Sequence, residues 1–390
     1  MSGAAEPSPP AARRRRRAAA VAAALVAAGA VVALAGGDGE GAPGAVPFDG
    51  RSPIVAEGRT MRVLFELRRP SLGERLAAED LPPARQRAYV RSLRREAEAL
   101  RSSIAARGVA LRDVVGYERV WNGFAATIRT EDLLRVQTLG VRVQRVRRFF
   151  PATARTSSAG PYGEQRGTFS MRGGRATEVA LLDSGVDLSH PLLRGRVRRG
   201  HDAVGGDASG DVHGTQVAGV LAQALGPGAR IRAIRVAGVQ RDPETGVREE
   251  AGTTDQLLDG LEHAVDPDGD GDVEDAAPVA LVGVSSPYAG FAGAPEAEAV
   301  EGATAAGTLV VAPAGNEGRR AGRFGTIGSP AAAPAALAVG ALEGGRGAPA
   351  LPRVRVGLAG KRGRAVLDGR VLGGGDGGPP AAGATGLTGP

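Results

Sequence analysis

Asp183 and His213 have the types and surroundings from which a base-assisted nucleophilic site could be built. Asp183 closes the apolar run Glu178-Val-Ala-Leu-Leu-Asp183 and is followed by Ser184-Gly185, so a buried strand is expected to end on its carboxylate. His213 opens His213-Gly-Thr-Gln-Val-Ala-Gly219, after which Val217, Val220, Leu221 and Leu225 fall at helical spacing, placing His213 at or just before a helix start. In an open α/β sheet, ligands gather at the carboxyl ends of strands. There an imidazole could take a proton from a hydroxyl nucleophile, while a neighbouring carboxylate fixes its tautomer and stabilises its cation. A structural Asp at a strand end beside a capping His is the competing explanation.

These stretches, Asp183-Ser-Gly-Val-Asp187 and His213-Gly-Thr-Gln-Val-Ala-Gly219, resemble the Asp and His motifs of the subtilases, the subtilisin-like serine peptidases. The resemblance implies a triad in the chain order Asp, His, Ser, with Asp183 as orienter and His213 as base, and Asp187 only the outer residue of its motif. Val310-Val-Ala-Pro-Ala-Gly-Asn316-Glu-Gly318 resembles the family's Ala-Gly-Asn segment, which implies Asn316 as the oxyanion donor. Val279 to Pro287 resembles the strand that pairs with substrate backbone, which makes Ser285 and Ser286 candidate substrate-binding residues. In that alignment Gly283 stands where Asn is usual and Pro287 where Gly is usual, so one substrate hydrogen bond is expected to be lost, because proline has no N–H. The family's Gly-Thr-Ser-x-Ala-x-Pro motif does not occur in these 390 residues, and the nucleophile is expected beyond Pro390. Ser329, in Gly325-Thr-Ile-Gly-Ser329-Pro, lacks the Gly-Thr-Ser frame and is rejected as nucleophile.

The remaining candidates are weaker. Asp266, Asp268, Asp270 and Asp272 alternate with Pro and Gly as in the first half of a calcium loop, but Ala277 stands where a bidentate Glu would be needed. A structural calcium ion and a solvated acidic turn are both open; the peptidase chemistry itself requires no cofactor. His190 is expected to be structural, and His201 and His263 to lie on the surface, with His263 one helical turn after Asp259.

The elements that must position these residues alternate, strand with helix, from Ala176 to Leu342. This predicts an α/β domain with a mostly parallel sheet and helices on both faces. Expected strands are 176–183, 229–237, 279–285, 308–312 and 335–342. Expected helices run from His213, from Thr253 to Val265 behind a Thr253-x-x-Gln256 capping box, and around Pro295 to Ala306. Before it, residues 59–150 read as a small α+β domain of the split, ferredoxin-like order. The expected series is a strand at 61–67, a helix at 84–107, strands at 109–120 and 123–129, a short helix at 130–139 and a strand at 141–146. Its position and its Trp121-Asn-Gly-Phe-Ala125 turn resemble the inhibitory propeptides of subtilases. That resemblance implies a folding chaperone whose tail, Arg145 to Ser158, lies in the substrate cleft.

Composition sets the outer bounds. The chain has no Cys, which excludes disulfides, thiolate catalysis and Cys-type zinc sites. The net charge of +7 is unevenly spread: residues 59–150 hold 20 Arg against 10 acids (+10), residues 151–390 hold 23 basic against 27 acidic groups (−4). The two parts are therefore expected to attract each other. The Arg residues alternate with apolar ones and are not clustered with aromatics, so no nucleic-acid partner is expected; the expected partners are a peptide or protein substrate and the chain's own propeptide. Arg13 to Arg17 before the apolar run Ala18 to Ala35 has the parts of a secretory signal or an uncleaved anchor, so residues 1–35 imply a secreted, extracellular or membrane-anchored protein. Residues 36–58 are expected to be a linker, residues 151–345 an incomplete catalytic domain, and 346–390 a Gly/Pro-rich segment opening an inserted β domain. The rival to a peptidase is a non-catalytic pseudo-peptidase or propeptide-type protein that holds peptides without cutting them.

Overall fold

The computed structural model describes residues 60–152, 178–206, 212–225, 230–241, 248–288, 290–291, 293–317 and 326–340, together with the backbone of 353–360 and 363–370. The expected signal or anchor, the linker, the connector after Ala152 and the last 20 residues lie outside them. No helix among the described residues is long and apolar enough to cross a membrane.

The first unit is built from β1 (Thr60–Glu66), α1 (Leu72–Ala78), α2 (Pro83–Ala105), β2 (Arg112–Tyr117), β3 (Gly123–Arg129), α3 (Leu133–Gln137) and β4 (Arg142–Arg145). Its antiparallel sheet has the order β2-β3-β1-β4, so β3 inserts between the two strands joined by α2. This is the split βαβ arrangement that the element order predicts. Val63, Phe65, Phe124, Ile128 and Ile104 fill its core, with the Phe65 and Phe124 rings stacked at 4.7 Å. Helix α2 begins with Pro at its first turn and ends before Gly108, whose φ of +77° suits glycine. Helix α1 is absent from the sequence-based expectation. Its signal is Ser71-x-x-Glu74, a capping box in which Glu74 N donates to Ser71 Oγ at 3.2 Å and Ser71 N to Glu74 Oε2 at 2.7 Å.

The second unit contains a six-stranded parallel sheet, order β14-β13-β11-β6-β8-β7. Its strands are β6 (Glu178–Asp183), β7 (Val197–Asp202), β8 (Arg230–Arg235), β11 (Val279–Val282), β13 (Leu309–Pro313) and β14 (Leu337–Val339). Along β6, Val179 and Leu181 face the helix α4 (His213–Leu225), packing with Val217 and Leu221. Ala180 and Leu182 face the other way, toward α5 (Thr254–Val265) and α6 (Pro295–Ala305), with Leu257, Leu261, Ala297 and Val300. A strand covered on both faces reads as a continuous apolar run, which is why β6 was legible. The capping box of α5 forms, Thr253 N donating to Gln256 Oε1 at 3.0 Å.

Strand order reverses beside β6. The chain leaves it toward β7 and β8 on one side and returns on the other through β11, β13 and β14. The carboxyl end of β6, where Asp183 sits, is therefore the switch point at which open α/β sheets hold ligands.

A second sheet, order β12-β5-β10-β9, is antiparallel and was not expected. It comprises β5 (Arg148–Pro151), β9 (Ala237–Arg241), β10 (Arg248–Thr253) and β12 (Val284–Ser285). The backbone of β15 (Arg353–Gly360) and β16 (Gly363–Arg370) forms an antiparallel hairpin within the Gly/Pro-rich segment.

The two units share one hydrophobic core: Leu64, Leu72, Val90 and Trp121 of the first are contiguous with Leu257, Leu261 and Val300 of the second. Charge attraction alone therefore does not describe their contact. Backbones come very close there. A Cβ on Gly302 would lie 2.1 Å from the Val120 carbonyl oxygen, and one on Gly73 2.3 Å from that of Gly302. At the centre, the fully buried Glu262 carboxylate accepts the backbone N–H groups of Glu118 (3.2 Å), Arg119 (2.8 Å) and Val120 (2.7 Å).

Candidate active site

The turn after β6 and the first residue of α4 meet because Gly214 has no side chain: a Cβ there would lie 2.1 Å from the Gly185 carbonyl oxygen. That approach puts His213 Nδ1 at 2.7 Å from Asp183 Oδ1, with both side chains buried. Asp183 Oδ1 also accepts the Ser184 N–H at 2.7 Å, and Gly214 N donates to Ser184 Oγ at 3.3 Å. An ionised carboxylate can only accept, so the proton of this pair belongs on Nδ1, leaving the other ring nitrogen available as a base. Burial alone would lower the His213 pKa. The Asp183 charge and hydrogen bond, with smaller help from Glu250 and the Ala152 backbone, more than offset it and raise the value. Gly283 packs against this carboxylate, where a Cβ would come within 1.8 Å of Asp183 Oδ2. Asp187 is exposed and bonded to Ser189, away from the imidazole, as its outer place in the motif suggested.

Beside the pair, β5 lies as a guest strand between β10 and β12. Phe149 pairs with Gly252 and Arg148 with Thr253 on one side; Phe150 pairs with Ser285 and Pro151 with Val284 on the other. Ala152 N donates to the Gly283 carbonyl at 2.9 Å. Arg147 anchors the start of the strand, its N–H on Thr254 Oγ1 at 2.8 Å and its guanidinium on the buried Glu296 at 2.9 Å. Pairing with β5 runs through Gly283, Val284 and Ser285 and does not extend to Pro287, which the same antiparallel register would set opposite Arg148.

Ser285 is buried, and its hydroxyl makes no hydrogen bond among the described residues; it lies beside Gly315 and Gly328. Ser286 instead exchanges backbone hydrogen bonds with Ser329, at 2.9 and 3.1 Å. Asn316 sits exposed three residues after β13, at the same edge of the sheet as Asp183. Ser329 is 2% exposed and donates to Glu296 at 3.0 Å, so its hydroxyl is engaged away from His213. Strand β10 and Glu296 had no place in the sequence-based site. Only the β5 segment was anticipated, as a tail.

The Asp-rich loop is a docking element as much as a cation candidate. Donor atoms of Asp266, Asp268 and Asp270 lie within 4.8 Å of one another, whereas Asp272 falls outside that group. Asp266 is paired with Arg119 at 2.7 Å, Asp270 with Arg87 at 3.1 Å, and Asp272 also with Arg87. These residues fit a calcium ion only in part, because guanidinium groups from the first unit already meet their charge. His201 and His263 correct another expectation: both are half-buried, and their rings are stacked on each other.

With this geometry in view, similarity to known proteins is informative. Residues 174–353 match the model of the subtilase family, peptidase S8. Subtilisin amylosacchariticus of Bacillus subtilis subsp. amylosacchariticus is 32% identical over 182 residues, which cover 44% of this chain and 42% of that protein. The major intracellular serine protease of Bacillus subtilis strain 168 is 32% identical over 186 residues, 44% of this chain and 52% of that protein. The solved structure of fervidolysin from Fervidobacterium pennivorans, a keratinolytic enzyme related to subtilisin, covers 72% of this chain and 43% of its own, with 17% identity and a TM-score of 0.42. The chain thus spans 42% of the length of the first of these relatives. Residues 174–353, a little under half of this chain, are thus similar to the subtilase family.

Proposed function

We propose that the protein is a subtilisin-type serine endopeptidase made as a propeptide-inhibited zymogen. In this account His213 removes the proton of a serine hydroxyl and later returns it to the leaving amine. Asp183 holds the imidazole tautomer and stabilises its cation, and Asn316 donates to the oxyanion. The observation that carries the proposal is the buried 2.7 Å bond between His213 and Asp183 beside a peptide strand held between β10 and β12. Residues 59–150 are the inhibitory propeptide, and Phe149 to Ala152, in its tail, stand in for substrate. A hydrogen-bonded guest strand is how a sequence-tolerant peptide site gains affinity through the main chain.

The Gly-Thr-Ser-x-Ala-x-Pro motif is absent from the 390 residues, and the proposal assigns the nucleophile to a serine outside them. A serine-directed fluorophosphonate should leave the 390-residue chain unlabelled and should label the full-length protein carrying that motif, with labelling lost in His213→Ala. Labelling of the 390-residue chain at Ser329 would overturn the assignment. A full-length protein that takes no label yet binds peptides would establish the non-catalytic alternative.

Two further parts of the proposal rest on sequence. Residues 1–35 export the protein, which N-terminal sequencing of extracellular material would test. The Asp266–Asp272 loop takes calcium once Arg87 and Arg119 withdraw; calcium should then bind the isolated catalytic domain and not the form that retains its propeptide.

A further inference from the structure

His201 lies on β7, the edge strand of the parallel sheet, whereas Asp259 and His263 stand one turn apart on α5. The fold brings the three together far from each other in sequence. His201 Nε2 is 2.6 Å from Asp259 Oδ2, and His263 Nδ1 is 2.9 Å from the Asp259 carbonyl oxygen and 3.4 Å from Asp259 Oδ1. The imidazole planes are 3.5 Å apart by their centroids and inclined by only 3°. One donor atom from each residue lies within 4.8 Å of the other two.

We propose that His201, Asp259 and His263 form a binding site for a divalent transition-metal ion of the zinc class, separate from the Asp183–His213 pair. The donor set selects the ion. Two imidazoles and one carboxylate suit zinc, cobalt, nickel or copper, whereas calcium and magnesium take oxygen donors almost throughout. The spacing is also near what an ion needs. Donor atoms bound tetrahedrally at about 2.0–2.1 Å are roughly 3.3 Å apart, so closure asks for shifts on the order of 1 Å. Parallel rings point their lone pairs side by side, and each must tilt about χ2 to converge. That torsion is broad and soft.

The surroundings supply what a metal site requires beyond its ligands. The helix sets Asp259 and His263 on one face through their i, i+4 spacing. The Nδ1 bond of His263 to the Asp259 carbonyl orients the ring and leaves Nε2 as the ligating nitrogen. Asp259, though neither histidine, borders a cavity of about 400 Å³ between the two units, lined also by Arg62, Tyr117, Ala203 and Asp255. An ion there would tie the edge strand β7 to α5. That helix also holds the first unit, through Asp255 on Arg62 at 2.8 Å and through Glu262. Metal binding would therefore stiffen the element on which the propeptide sits. None of this depends on the peptidase assignment.

Cobalt and zinc titrations of the 390-residue chain test it. Cobalt should give the visible ligand-field bands of a tetrahedral site. Zinc at a hundredfold excess over its Kd should raise the Tm by roughly 5 °C or more. His201→Asn and His263→Asn should each lose both effects, while His213→Ala and His190→Asn keep them. Because an asparagine variant could fold poorly, His263→Cys provides a positive readout: cobalt should acquire a near-ultraviolet thiolate charge-transfer band. Absence of bands and of a zinc shift in the wild-type chain would overturn the proposal. So would effects that survive in His201→Asn, or that vanish in His213→Ala, since the ion would then sit elsewhere.

Discussion

For His213 to act as a base it must be neutral at working pH, yet Asp183 stabilises its cation. The raised pKa places the acid limb of kcat/KM above the ordinary imidazole range, with activity rising as pH passes up through it. In the full-length protein, Asp183→Asn should lower turnover on the order of 10⁴ and move that limb to lower pH, because the largest influence opposing burial is then lost; pH–rate profiles would show both. The same shift has a stability consequence. A folded pKa above the unfolded value of about 6.5 contributes stability that is complete below that pH and is lost as pH rises through the folded pKa. Urea denaturation across that window should reveal the loss in the wild type and not in His213→Ala. Asp183 and His213 were legible because each opens or closes an element with a strong apolar period. The His201–Asp259–His263 group was not, because nothing in sequence places the edge strand β7 beside α5.

At the scale of elements, the contact between the two units depends on groups with little freedom to move. Removing the Glu262 carboxylate would leave three backbone N–H groups without their buried acceptor and take one of three carboxylate partners from Arg119, which keeps Asp266 and Glu118. Glu262→Ala should cost about 3–5 kcal/mol, measured by urea unfolding of the 390-residue chain. Gly302→Ala probes close approach alone. Its Cβ would meet the Val120 carbonyl, so it should cost about 1–3 kcal/mol and loosen the first unit while leaving the 2.7 Å His213–Asp183 bond unchanged. Protection of the α1 amides against hydrogen exchange should fall accordingly. The long helices and central strands were visible as 3.6-residue periods or unbroken apolar runs. Strands β9 and β10 escaped notice because Arg248-Glu249-Glu250 is polar; it becomes a strand by pairing with β5 and β9, not by burying a face of its own.

Across the whole molecule, the division into a basic and an acidic part was correct as composition but incomplete as an account of cohesion. The shared core of Leu64, Leu72, Trp121, Leu257 and Val300 is indifferent to salt, whereas exposed pairs such as Arg87–Asp270 are screened by it. The isolated first unit should therefore associate with the second more slowly as salt rises, with a smaller change in dissociation rate, as stopped-flow titration would show. What remains is whether β5 fills the substrate site or merely lies near it. The most direct measurement is inhibition of the full-length, serine-bearing peptidase, freed of its own propeptide, by residues 60–152 against the same module ending at residue 147. The account predicts that both bind but that the shorter module inhibits peptide hydrolysis at least tenfold more weakly. Equal inhibition by the two would contradict the placement of Phe149 to Ala152 as the substrate-like strand beside His213.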